Sequence, residues 1–378
     1  MTSSETLERQ RTGRRIKVRV VDTDVHPAPR APEELRGYVP AAWRDREWSN
    51  QVFDAVGSPI YEAPNKAQRR DSYAPVGGPP CSDPAFSEQQ LFGEAKVDYC
   101  IHIPLTVRPT ANPEHEAAVC AATNAWLADT WLSRYNAHGR HYGTMRVCST
   151  DTQLAVREIE RWAGDPRFIQ IMMNPYTDTP AGQNRFHTIY EAACRHDLPV
   201  CMHVNRSPGM RLLTPVGFSS YFFEHHSLYS MMYAAHLTSL IFEGVFEKFP
   251  KLRVVLVEGG FSWFVPLVWR MDRHWEALKG EVPHVRRRPS EYVRDHVRLS
   301  TQPMEEPPNA DDLARLWSHM DPGHYLMFAT DYPHWDYDGP NQVLRFPPDA
   351  REKVLCTNAL DWYRLPAERA AGPWDKSR

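Results

Sequence analysis

The sequence predicts an α/β fold, a single (β/α)8 TIM-like barrel with a long insertion after the first strand. Three observations predict it. Short apolar runs alternate with helix-period segments along most of the chain, and eight such runs can be counted. The histidines and acidic residues collect at the carboxyl ends of those runs, where a parallel barrel builds its active site from loops. Polar residues without such a role would be spread over both strand ends.

The first run, Val20-Val21-Asp22-Thr23-Asp24-Val25-His26, reads as a buried strand that ends in a carboxylate and an imidazole. Residues two apart on a strand point the same way, so Asp24 and His26 can approach one metal ion, with Asp22 a step deeper in the same row. The stretch from about 27 to 90 is crowded with proline, tryptophan and charge and shows no sustained period. Tyr38-Val39-Pro40 followed by Trp43 marks it as a packed insertion, a lid or an oligomer contact rather than a second domain.

Further along, 97–104 reads as a strand and 113–135 as a helix, 142–148 as a weaker strand and 152–162 as a helix that Asp151 can cap. Residues 168–173 form the next strand, stopped by Asn174-Pro175, with a helix over 183–196. The run 198–203 ends in His203-Val204-Asn205, and the long segment 206–229 leads into a helix over 231–249 that Pro250 ends. The strand 252–257 ends in Glu258-Gly259-Gly260, with a helix over 263–275 after it. The strand 296–300 ends in Thr301-Gln302-Pro303, and 310–319 is helical. The last strand, 325–330, ends in Asp331-Tyr332-Pro333-His334, before a final helix near 349–360. The domain limits that follow are a disordered N-terminal tail over 1–15, one barrel over 16–365 and a C-terminal tail over 366–378.

With 378 residues the chain can bury a sizeable core without a disulfide or metal staple. Its 44 basic and 47 acidic residues leave a net charge of -3 at pH 7, no electrostatic case for nucleic acid or an anionic membrane. The run Arg286-Arg287-Arg288 reads as a solvated loop. Seven cysteines stand singly with no Cys-x-x-Cys pair, the pattern of reduced, cytoplasmic usage. Residues 1–15 lack the apolar core of a secretory signal, and the apolar neighbourhood 254–269 is interrupted by Glu258, Gly259, Gly260 and Pro266, so no transmembrane helix is predicted.

Phe242-Glu243-Gly244-Val245-Phe246-Glu247-Lys248-Phe249-Pro250-Lys251-Leu252-Arg253-Val254 resembles a signature of the amidohydrolase superfamily, in the branch of aminocarboxymuconate-semialdehyde decarboxylase. The Asp-x-His of the first strand, His203, and Asp331 within Ala329-Thr330-Asp331-Tyr332-Pro333-His334 resemble that branch's metal-ligand positions, and the likeness runs from about 20 to 365. It implies a barrel whose divalent ion is held by Asp24, His26, His203 and Asp331. The chain departs from the pattern twice. Asp24 stands where the family often has histidine, as in some decarboxylating relatives. Glu258 stands where the decarboxylases have a histidine that acts in catalysis.

A glutamate beside a cation is held ionised and donates a proton poorly, which turns attention to other chemistry. A site rich in carboxylate favours iron or manganese over zinc, and it admits a second ion bound by Glu258 with His236 in reach; His225 and His226 lie on the same segment. The leading expectation is an oxygen-activating dinuclear hydroxylase or monooxygenase component, fed by an external reductase or ferredoxin because no flavin, nucleotide or iron-sulfur motif is visible. The alternatives are a metal-dependent hydrolase or non-oxidative decarboxylase, with Glu258 as general base, and a metal-binding partner subunit of a catalytic homologue. Glu258 and His236 are the catalytic candidates. For a small carboxylate-bearing substrate, Arg206, Arg211 and Arg108 are candidate clamps, and Trp263 and Gln302 candidate lining. A homo- or hetero-oligomer with a homologous barrel is expected, through the insertion and the aromatic loop after the fifth strand.

Overall fold

The computed structural model describes residues 15–44, 67–105, 112–205 and 222–375. Ten strands occur among them: β1 Arg15–Lys17, β2 Val21–Val25, β3 Tyr99–His102, β4 His141–Arg146, β5 Phe168–Met173, β6 Val200–His203, β7 Val254–Val257, β8 Val297–Ser300, β9 Leu326–Met327 and β10 Glu368–Ala370. Strands β2 to β9 pair in sequence order, each pair parallel. The ring closes where Thr23 N–H donates to the Phe328 carbonyl at 3.0 Å and His26 N–H to the Tyr332 carbonyl at 2.8 Å. The structure is the predicted (β/α)8 barrel.

The strands read as apolar runs because both faces are covered. Val21, Tyr99, Ile101, Met172, Cys201, Val255, Val257 and Met327 line the interior, and Leu360, Trp362, Tyr363 and Leu365 from the last helical segment close its amino-terminal end. Outside, the opposite strand faces pack against the helices in a larger cluster. The helix Thr152–Trp162 shows how sequence sets an element: Asp151 accepts from the N–H groups of Gln153 and Leu154 at 2.8 and 3.0 Å, and Ala155 and Ile159 turn inward. Such a cap is worth about 1 kcal/mol.

Four expectations are revised. The helix expected over 113–135 is Pro113–Asp129 followed by a wider-wound turn Thr130–Arg134. That over 231–249 stops at Phe242, where Gly244 turns left-handed at φ 72° before a short helix Val245–Lys248. The helix Pro289–His296 follows the basic run and was not expected, since proline and arginine conceal its start. Residues 366–378 are not simply a tail: β10 pairs antiparallel with β1, and Arg369, 3 % exposed, binds Asp98 at 2.7 Å and Asp375 at 2.6 Å. Of the described insertion, residues 27–44 pack on the helix Pro113–Asp129, where Trp126 donates to Glu34 at 3.0 Å and Tyr38 to Asp129 at 2.5 Å, while 67–90 meet the loop after β9, Gln68 bridging His334 and Gln90 accepting from the Tyr332 hydroxyl. No described helix is long and apolar enough to cross a membrane.

Candidate active site

Asp24, His26, His203 and Asp331 meet at the carboxyl ends of β2, β6 and β9, all buried, with one ligand atom from each within 4.8 Å of the others. The ring protons define what this cluster can accept. His26 Nδ1 lies 2.8 Å from the Ile103 carbonyl and His203 Nδ1 lies against that of Val204. A carbonyl only accepts, so each Nδ1 carries the proton and each Nε2 presents a lone pair. Burial pushes both imidazoles down to about 3, which keeps them neutral.

Those two lone pairs face oxygens. His26 Nε2 lies 2.7 Å from Asp331 Oδ1 and 3.2 Å from Asp24 Oδ1, and His203 Nε2 lies 3.2 Å from the same Asp24 oxygen. Both oxygens of Asp24, Asp331 Oδ2 and His203 Nε2 are buried without a hydrogen-bond partner. Burial raises Asp24 to about 6 and Asp331 well above the usual carboxylate range. Acceptors converging on acceptors is the signature of a cation site, and two imidazoles with two carboxylates suit a divalent ion.

Two further features aim side chains at the same point. Glu258 at φ 59° and Asp331 at φ 57° adopt the left-handed region, which costs non-glycine residues of order 1 kcal/mol and recurs at functional sites. Glu258 Oε2 lies 3.4 Å from His203 Nε2, and Glu258, Asp331 and His334 form a second group able to hold an ion. His334 Nδ1 sits 2.5 Å from Asp331 Oδ1. At the rim, His226 Nε2 lies 3.1 Å from Asp336 Oδ2 and 4.0 Å from Glu258 Oε1. Asp336 is half-buried; burial works to raise its carboxyl, but His226 beside it holds it below the usual range.

Several sequence candidates lie elsewhere or play another part. His236 does not reach the cluster: its Nδ1 accepts the Ala181 N–H at 3.0 Å and its Nε2 donates to the Pro175 carbonyl at 2.8 Å, so both nitrogens are consumed by backbone. Asp22 is a clamp, accepting from Thr330 N–H and hydroxyl at 3.0 and 2.6 Å. Trp263 spends its N–H on the Gly259 and Gly260 carbonyls at 2.9 and 3.0 Å, supporting the turn behind Glu258. Gln302 does face the site; Nε2 donates to Asp336 Oδ2 at 2.9 Å and Oε1 is buried without a partner. Arg206, Arg211, Arg108 and the side chain of His225 lie outside the described residues.

Two side chains had no weight in the sequence reading. His334 and Asp336 reach the site from the loop after β9; an Asp-x-x-His and an Asp-x-x-x-x-Asp spacing from Asp331 was the available signal for them. A second convergence, Glu88 with His138 and His141, is hydrogen-bonded instead. His138 Nδ1 accepts the Arg140 N–H at 3.1 Å, which leaves the proton of the neutral ring on Nε2, pointing at Glu88 3.1 Å away.

The amidohydrolase family model matches residues 21–365. A search of curated proteins finds no match. Among solved structures, an amidohydrolase from Mycobacterium avium subsp. paratuberculosis superposes with a TM-score of 0.67 at 18 % identity, covering 92 % of this chain and 98 % of that one. The 5-carboxyvanillate decarboxylase from Sphingomonas paucimobilis gives 0.64 at 19 %, covering 92 % and 100 %. A dihydroxybenzoic acid decarboxylase from Polaromonas with bound manganese gives 0.61 at 17 %, covering 92 % and 97 %. These likenesses carry the barrel fold, and the family match carries membership: the chain belongs to the amidohydrolase family and is a metal-dependent enzyme.

Proposed function

We propose that this protein is a metal-dependent, non-oxidative decarboxylase of a small carboxylic acid. The observation that carries the metal site is the pair of imidazole lone pairs turned toward the buried oxygens of Asp24 and Asp331. Asp24, His26, His203 and Asp331 would hold the ion, with iron, manganese and zinc all open by ligand type. When bound, it would polarise an oxygen of the substrate and draw off negative charge.

The rest falls to side chains. Breaking the bond to the carboxyl group releases carbon dioxide and leaves its electron pair on carbon, which must then take a proton. Glu258 would be held ionised by a cation bound there. His226 is the group placed to deliver that proton, with Nε2 between Asp336 and Glu258, while Gln302 donates to the same Asp336 oxygen. The relatives that support this reading are decarboxylases and an amidohydrolase rather than oxygenases. With His236 bound to backbone, the oxygen-activating dinuclear expectation also loses one intended ligand. Hydrolysis is the second reading, favoured by Glu258 Oε2 lying 3.4 Å from His203 Nε2, where it can take a proton from water.

Carbon dioxide release and deuterium incorporation at carbon in D2O, followed on the manganese-loaded protein with hydroxybenzoates, test the proposal. Both are expected, and both should fall together in His226→Gln. Hydrolysis of esters or lactones with no carbon dioxide from any acid would move the assignment to the second reading.

A further inference from the structure

Asp331 belongs to two groups at once. With Asp24, His26 and His203 it makes the four-ligand set described above, and with Glu258 and His334 it makes a second set whose ligand atoms also lie within 4.8 Å of one another. The two sets adjoin at other points as well. Glu258 Oε2 is 3.4 Å from His203 Nε2, and the His26 and His334 rings lie 4.7 Å apart between centroids. Asp331 is 0 % exposed and Glu258 5 %, with His334 half-buried beside them.

The second set is fixed by its surroundings. His334 N–H donates to the Asp331 carbonyl at 2.8 Å, a tight turn that brings the imidazole back to the Asp331 carboxylate, Nδ1 lying 2.5 Å from Oδ1. Residues 67–69 of the insertion clamp that turn: Gln68 bridges His334 antiparallel, Arg69 N–H donates to the Pro333 carbonyl at 2.9 Å, and Trp335 N–H donates to the Ala67 carbonyl at 3.1 Å. On the other side, the Ser300 hydroxyl accepts the Glu258 N–H at 2.9 Å. Ligands locked in this way need little rearrangement when an ion binds.

Asp331 has the capacity to serve both sets. His26 Nε2, which presents a lone pair, and His334 Nδ1 both approach its Oδ1, at 2.7 and 2.5 Å, and a proton on His334 satisfies that oxygen alone. Oδ2 stays buried without a partner. A carboxylate offers about four lone-pair sites over its two oxygens, enough to bridge two cations. We propose that a second divalent cation binds between Glu258, Asp331 and His334, bridged to the first by the Asp331 carboxylate. Two carboxylates with one imidazole favour manganese or iron there, and three protein ligands leave positions open for substrate. Ions paired in this way sit about 3.5–4 Å apart, a spacing that lets two oxygens of one substrate bind together. His334 thus supplies the imidazole that His236 was expected to give. The inference rests on the metal site of the reading above and holds for decarboxylation and hydrolysis alike.

Reloading the chelator-stripped full chain with manganese, read as bound metal per chain and by electron paramagnetic resonance, tests it. Wild type should saturate at about two ions per chain, the spectrum of a spin-coupled pair replacing that of isolated ions as the second fills. His334→Ala and Glu258→Gln should each saturate at about one ion per chain, with the isolated-ion spectrum only. Saturation of wild type at about one ion overturns the proposal and leaves the single-metal reading standing, whereas no bound ion overturns both. Variants that still hold a coupled pair overturn it too. Should the variants not fold, anomalous diffraction from manganese-soaked crystals of wild type decides. A second peak bounded by Glu258, Asp331 and His334 is expected; a lone peak at the first set, or a second peak elsewhere, overturns the inference.

Discussion

Proton positions on a few side chains carry most of the functional argument. Because the Ile103 and Val204 carbonyls hold the Nδ1 protons of His26 and His203, replacing either ring removes a preformed ligand rather than a flexible one. His203→Asn should lower metal affinity by about 100-fold or more, read as metal per chain after dialysis. His226→Gln should instead keep that metal and lose about 10² to 10⁴ in kcat, the usual contribution of a proton-transfer group, and Glu258→Gln should do the same where Glu258 takes a proton from water, as in hydrolysis. Metal loss in Glu258→Gln would make Glu258 a ligand. Away from the site, burial pushes the His141 imidazole down to about 4. An unfolded histidine titrates near pH 6.5, so between there and about pH 4 the unfolded chain takes a proton that the fold refuses, and stability falls as pH drops. Urea titrations should show that slope reduced by about 1.4 kcal/mol per pH unit in His141→Gln.

Elements decide where those side chains point. The turn after β7 presents Glu258 because Gly259 lets the Tyr233 ring come close: a Cβ there would lie 2.3 Å from Tyr233 Cδ2. Tyr233 in turn donates to the Val257 carbonyl from the helix Tyr229–Phe242. Gly259→Ala must push helix and turn apart, an overpacking cost of about 1–3 kcal/mol, and swing Glu258 off the metal ligands. A lower Tm together with lost activity, despite an intact Glu258, is the expected result of melting and turnover measurements. A variant with normal turnover would show that Glu258 does not depend on this contact.

Across the whole molecule, the first and last described strands, β1 and β10, pair at the amino-terminal side of the barrel. Arg369 reaches Asp98 beside β3 and Asp375 beyond β10, with side-chain exposures of 1 %, 0 % and 5 %. Leaving Asp98 buried without its cation in Arg369→Ala should cost about 3–5 kcal/mol, seen as a lower urea midpoint with the metal site intact. This clasp was invisible in the sequence, where a short polar segment past the last apolar run looks like a tail. The eight strands were legible because parallel strands covered on both faces must be apolar, and the cluster of Asp24, His26, His203 and Asp331 was legible because such residues interrupt those runs at their ends. His236 misled because an apolar helix does not reveal that its imidazole will satisfy the Ala181 and Pro175 backbone. His334 and Asp336 went unweighed for the opposite reason: that the loop after β9 turns them toward the site depends on contacts with residues far apart in sequence. Sequence alone determined the barrel, the family likeness and the candidate metal ligands, since local apolar pattern and strand-end chemistry encode them. Tertiary structure decided which histidines are open and which acids share a pocket, because hydrogen-bond partners exist only once the ring has closed.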